Sequence, residues 1–256
     1  LDEYLKEAYF TFNRVVDQPV AILLGLTEVS FGQDFPGTLD FQNDASHAMT
    51  DPDNGQIKGI TVVVDQIIRP FDKFSVTLFS PNPDIKIASL NHIDGFATRV
   101  SKTFFKVFET QASYLRKGNA YDPALRFEQK FSVAGVFKMD SWTAYAELIS
   151  MDHAAAYPDA NAGMTTGIHR LAGPGQLNVE FTAIANTLDQ EVFAYQLFLS
   201  RGWTLASALR QTNCRGGNDG CVAARGYGAG LSAHLSIQFA FGSSEDENAT
   251  STLATL

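Results

Sequence analysis

The chain has 256 residues, with 28 acidic and 19 basic side chains and a net charge of −9. That charge, with no basic stripe anywhere, argues against nucleic acid as a partner. Charged residues make up 18% and hydrophobics 45%, and the longest apolar run is residues 20–24. A membrane-crossing helix needs roughly 20 apolar residues, so only strands with a polar second face could take this chain through a bilayer.

Residues 5–15 alternate, with Ala8, Phe10 and Phe12 on one side and Glu7, Thr11 and Asn13 on the other. A period of two predicts a strand with one apolar and one polar face. Pro19 ends a turn, and residues 20–31 resume the pattern with Val20, Ile22, Leu24 and Leu26 on the apolar face. Residues 32–56 read as a long acidic loop carrying Asp34, Asp40, Asp44, Asp51 and Asp53. Strands follow over residues 57–68 and 73–80, with a turn at Pro70, and a weaker one over 85–91.

Residues 96–116 read as one long alternating segment. Arg99, Ser101, Thr103, Glu109, Gln111 and Ser113 share one parity, and Phe104, Phe108, Ala112 and Tyr114 share the other. Lys102 and Lys106 interrupt the apolar side. Residues 125–137 and 141–151 form the next pair, and 152–174 a second long loop. Strands over 176–187 and 192–212 lead to the loop between Cys214 and Cys221. In the last strand Leu231, Ala233, Leu235, Ile237, Phe239 and Phe241 alternate with Ser232, His234, Ser236, Gln238 and Ala240.

Short turns near residues 17, 71, 94, 139 and 189 alternate with connections near 45, 82, 120, 163 and 219, which are longer except the one near 82. That asymmetry predicts a transmembrane antiparallel up-and-down β-barrel with tight periplasmic turns and longer external loops. Eleven segments are visible. Single-chain barrels of this kind take an even number, so about twelve strands are expected. Either a further strand precedes Leu1, or a segment around residues 85–116 is wrongly divided. The barrel would cover residues 1–242, and 243–256 read as a polar disordered tail. Leu1, Asp2 and Glu3 lack the basic and apolar regions of a secretory leader, as a mature secreted chain would.

The lumen-facing parity carries Glu7, Asp65, Lys73, Arg99, Glu109, Arg126, Glu128, Lys130, Glu147, Glu180, Arg210 and His234. These charges either border a path for small polar solutes or pair across the interior and fill it. A pore narrowed by its lining charges and partly covered by the loops of residues 32–56 and 152–174 is the leading reading; a non-conducting structural or adhesion barrel is the alternative, and a soluble barrel binding an apolar ligand is the third. His234 lies between Ser232 and Ser236, but residues two apart on a strand do not point at one another, and no nucleophile elbow is present. No catalytic residue and no enzyme activity are expected. Asp51, Asp53 and Gly55 resemble the start of a calcium loop, but Val62 stands where the closing Glu belongs, so a turn is expected and no metal site or cofactor. Cys214 and Cys221 would close a small disulfide in an oxidising compartment; two free thiols are the other reading.

Three places carry a family likeness. Glu7, Ala8 and Tyr9 lead the first strand, residues 25–32 (GLTEVSFG) close the second, and residues 46–52 (SHAMTDP) lie in the loop after it. Together they resemble bacterial outer-membrane porins, including the LbtU-type siderophore-uptake porins. Leu26 and Thr27 stand where that group has a basic residue, and Ser30 where it has a proline. The resemblance implies a place in the bacterial outer membrane and contact with lipid and lipopolysaccharide. It also implies small polar solutes as cargo, and a second copy or other envelope proteins as partners.

Overall fold

The computed structural model describes residues 8–12, 20–26, 29, 31–32, 49, 58–65, 70–80, 95–118, 127–153, 160–200, 203–215 and 229–239. They form thirteen strands. The first five are β1 (Ala8–Phe12), β2 (Val20–Leu26), β3 (Lys58–Asp65), β4 (Lys73–Ser80) and β5 (Gly95–Phe104). Then come β6 (Phe108–Lys117), β7 (Glu128–Met139), β8 (Trp142–Asp152) and β9 (Ala162–Ala172). The chain ends in β10 (Gly175–Ile184), β11 (Leu188–Ser200), β12 (Trp203–Cys214) and β13 (Gly230–Phe239). Each strand pairs antiparallel with its neighbours in sequence, giving one up-and-down sheet ordered β1 to β13. Among the described residues no helix is long and apolar enough to cross a membrane.

Three divisions differ from the sequence expectation. Residues 96–116 are two strands, β5 and β6, joined by a turn at Phe105, Lys106 and Val107. Residues 192–212 are likewise divided between β11 and β12. The expected loop of residues 152–174 contains β9. The weak strand expected at 85–91 lies outside the described residues, as does Phe241.

The faces of the sheet are inverted relative to a water-soluble protein. Glu147 is 1% exposed, and its neighbour Leu148 is 60% exposed. Lys130 is 2% exposed and Phe131 is 49%. The same alternation runs through β10, where Asn178, Glu180 and Thr182 are buried and Val179 is exposed. An apolar outer face beside a polar buried one is the pattern of a sheet solvated by lipid. Charges on the apolar face sit near strand ends. Lys102 bonds Asp72 at 2.8 Å, Arg116 stacks 4.0 Å over Phe127, and Arg170 lies 4.6 Å over Trp142. Long cationic side chains of this kind keep their heads in the polar interface while their stems cover apolar surface.

The two rims differ. Residues 13–19, 66–72, 105–107, 140–141, 173–174 and 201–202 connect strands at one rim, none with more than seven residues. Residues 27–57, 81–94, 118–127, 153–161 and 215–229 connect them at the other, each with nine or more. Only residues 185–187 make a tight turn at that second rim. The turns expected near 94 and 189 on the short-turn side therefore belong to the long-loop side; the unforeseen β9 and the divided 96–116 segment shifted the alternation. Turn chemistry is conventional at Gly173 (φ 60°), which opens the two-residue turn with Pro174, and at Asn186 (φ 60°).

Candidate functional site: the polar inner face

Cross-strand register places the inner-facing residues in rows. One row runs Lys73, Ser101, Gln111, Ala134, Glu147, Thr165, Thr182, Gln190, Thr212 from β4 to β12. It is almost wholly polar and is knitted by side-chain bonds. Thr165 and Thr182 hydroxyls lie 3.2 Å apart, and Gln190 Nε2 donates to Thr212 Oγ1 at 3.2 Å. Ser132, two residues from Ala134, donates to Glu147.

The adjacent row toward the long-loop rim changes character midway. Ser75, Arg99, Ser113 and Ser132 form its first half; Ile149, Gly163, Ile184, Leu188 and Cys214 form its second. Residues from the connection 27–57 dock on both halves. On the polar half, Gly32 N–H donates to Ser113 Oγ at 3.0 Å, and Gly32 carbonyl accepts from Arg99 Nη1 at 3.5 Å and from Gln111 Nε2. On the apolar half, Met49 lies against Gly163, and Phe31 and Met49 belong to one buried cluster that runs from Phe79, Ala97 and Leu115 to Ile149, Met151, Ile184 and Leu188. Lys130 Nζ donates to the Met49 carbonyl at 3.0 Å. Residues of the β2–β3 connection are thus packed against the inner face of the sheet.

A charged cluster stands beside this docking site. Glu128 Oε1 receives Lys130 Nζ at 2.9 Å, and its Oε2 receives Lys117 Nζ at 3.4 Å, all three being nearly buried. Burying charge is tolerated only with such pairing and hydrogen bonding. Toward the short-turn rim, Tyr145 donates to Glu180 at 2.5 Å and packs edge-on against His169 with ring centroids 4.9 Å apart. Gln176 Nε2 lies 3.3 Å from His169 Nδ1.

The structure places most of the expected lining residues on this face. Glu128, Lys130, Glu147 and Glu180 are buried in it, and Arg99, Glu109, Arg210 and His234 are half-buried. Glu109 faces Lys138 at 3.4 Å. Lys73 is exposed near the short-turn rim, across the register from Asp65, whose side chain is not among those described. Glu7 and Arg126 lie outside the described residues. One expectation is corrected. Ser232 Oγ and His234 Nε2 lie 3.3 Å apart, because strand twist and a flexible ring let side chains two apart meet. The hydroxyl also accepts from Arg210 Nε at 3.3 Å. The sequence placed Phe31, Gly32 and Met49 within the family likeness but gave them no place on the inner face, and it gave Gly163 no role. Two glycines four residues apart, Gly163 and Gly167, on the parity of Thr165 and His169, were the available signal.

Among the described residues no group of three His, Cys, Asp or Glu side chains could hold a metal ion. No described cysteine is free, and Cys221 lies outside the described residues.

A sheet of this topology, apolar outside and polar inside, with tight turns at one rim and long connections at the other, defines a porin-type transmembrane β-barrel fold. Solved structures share it. An engineered mutant of the Rh. blastica porin superimposes with a TM-score of 0.55 at 13% identity, over 87% of this chain and 73% of that one. A second mutant of the same porin gives 0.54 at 14% identity over the same shares. A further refined porin structure gives 0.52 at 14% identity, over 87% of this chain and 77% of its own. At these identities the likeness is one of fold. No protein-family model and no curated protein matches the sequence.

Proposed function

We propose that the chain forms the wall of a narrow, weakly selective outer-membrane channel for small polar solutes. The observation that carries this reading is the inversion of the faces, a polar interior behind a lipid-compatible exterior. The short-turn rim would face the periplasm and the long-loop rim the outside. Residues 1–242 would make the barrel and 243–256 a polar tail. β1 and β13 run in the same direction, so antiparallel closure takes an odd number of further strands between them, from outside the described residues. The exposed apolar band would meet lipid, with lipopolysaccharide on the outer side, and a second copy or another envelope protein is the natural protein partner. The charges from Glu7 to His234 would line or narrow the path, with no catalytic role and no cofactor. A Cys214–Cys221 disulfide would close the last external loop. A siderophore is the specific cargo that the likeness to LbtU-type porins suggests.

One observation favours the second reading, a filled barrel that does not conduct. Ser132, Glu147 and Gln190, on the inner face, are each only 1% exposed. Ion conductance of the purified chain in a planar bilayer decides between the two. Steps of current, enlarged on deleting residues 40–53, support the channel. Silence of both proteins beside a conducting control porin leaves the structural barrel, and added siderophore that fails to block current removes that cargo.

A further inference from the structure

Resting on the channel reading above, we propose that Arg210, Ser232 and His234 form a site for an oxyanion, the carboxylate or phosphate of a small solute, on the inner face of β12 and β13. All three side chains are half-buried, so solvent reaches them. Arg210 and Ser232 stand directly across the register, and His234 follows two residues further along β13. Arg210 Nε donates to Ser232 Oγ at 3.3 Å, and Ser232 Oγ lies 3.3 Å from His234 Nε2. The bond at Nε fixes the plane of the guanidinium. A planar guanidinium meets a carboxylate or phosphate with two parallel N–H bonds. Ser232 and His234 add polar groups that carry no negative charge.

Access separates the charges of the inner face at the depth of this site. Arg210 stands four residues from the long-loop end of β12, and His234 four from that of β13. Arg99 on β5 and Glu180 on β10 stand four from theirs, and Glu147 on β8 five. The two arginines are half-buried, whereas Glu147 is 1% exposed and Glu180 7%. Both carboxylates accept from protein hydroxyls, Glu147 from Ser132 and Glu180 from Tyr145. Nearer the long-loop rim Glu128 is buried between Lys117 and Lys130. Among the described inner-face carboxylates only Glu109 is half-buried, and it faces Lys138 at 3.4 Å. On this face, then, a chain of net charge −9 shows water chiefly its cations. Lining charge of one sign draws solutes of the other, and a fixed guanidinium gives them a place to stop.

The test titrates the detergent-solubilised chain with sodium phosphate and with sodium succinate by calorimetry. It compares wild type with R210Q, R210K, S232A and, as a control on the outer face, R116Q. Wild type should bind at least one of the two anions, and R210Q should weaken that binding about tenfold or more. R210K keeps the charge and loses the fork, so it should bind more weakly than wild type and more tightly than R210Q. S232A should weaken binding less than R210Q, and R116Q should leave it unchanged. The anion bound more tightly names the group that the site takes. In a planar bilayer that anion should reduce chloride current through wild type and not through R210Q. Absence of binding by either anion, or binding unchanged in R210Q, overturns the site even where the protein conducts. Binding that R210Q abolishes, with no current from any of the proteins, upholds the site and removes the channel. If R210Q does not fold, R210K and S232A carry the test.

Discussion

Phe79 on β4 lies directly across from Gly95 on β5, and its ring fills the space that a side chain at residue 95 would occupy. Phe79 belongs to the buried apolar cluster near the long-loop rim, and Gly95 is buried beside it. A methyl group there must displace the ring within a packed environment, so G95A should destabilise by about 1–3 kcal/mol. Gly135 supplies the contrast, since a Cβ there would meet Phe108 at an ordinary 3.4 Å. G135A should stay within about 0.5 kcal/mol of wild type. Urea unfolding in detergent micelles, followed by tryptophan fluorescence, measures both; equal losses would remove the role given to Phe79.

Glu128 is the carboxylate between two nearly buried ammonium groups, Lys130 at 2.9 Å and Lys117 at 3.4 Å. Neutralising it takes the counter-charge from both. E128Q should cost about 3 kcal/mol or more, whereas replacing all three by apolar residues of similar size should cost much less. The same unfolding assay reads this, and an E128Q loss no larger than that of the triple variant would contradict it.

Acid should act at the rim through Asp72. The hydrogen bond from Lys102, then the backbone N–H of Thr103, holds its carboxyl below the usual value of 3.8. A carboxyl lowered in the folded state contributes stability above its unfolded pKa, and the contribution is lost as pH falls through the folded one. Wild type and D72N should therefore differ above about pH 4 and converge below it. A difference that grows on acidification would reverse the sign argued here.

The alternation of apolar and polar residues was legible almost everywhere, and the inner and outer faces followed from it. The divisions were not. Phe104 and Phe108 both face outward across the three-residue turn at Phe105, so the alternation passes through the turn in phase and hides it. Leu199 and Trp203 share a parity across residues 201–202 in the same way. β7 and β8 were separable because Met139 and Trp142, both outward, break the phase. β9 was missed for a different reason. Its glycines leave room for side chains from elsewhere, Met49 over Gly163 and Tyr145 against Gly167. Its strand character depends on partners far away in sequence, which no local pattern records.

Cys214 ends β12 and packs beside the buried apolar cluster at the long-loop rim. Next to it Arg215 grips Asp189 with Nη2 at 2.6 Å from Oδ1 and Nε at 2.9 Å from Oδ2, fixing the strand end from which the 214–221 loop departs. A Cys214–Cys221 disulfide there should contribute about 2–3 kcal/mol at most, because the loop is short. Intact mass after alkylation in denaturant should show no label without reductant and two labels with it. Two labels without reductant would reject the bond.

The final prediction concerns which ions the path prefers. Lys130 is one of two cations around Glu128, and Glu147 and Glu180 lie on the same inner face. Arg126, two residues before Glu128 in sequence, is the other cation expected to line the path. Removing both cations with R126A/K130A leaves the carboxylates in excess along this wall, and lining charge of one sign draws ions of the other. The reversal potential in a potassium chloride gradient should then shift toward cation selectivity. R126A alone should shift selectivity in the same direction and by less. A conducting double variant with an unchanged reversal potential would mean that these charges face away from the path.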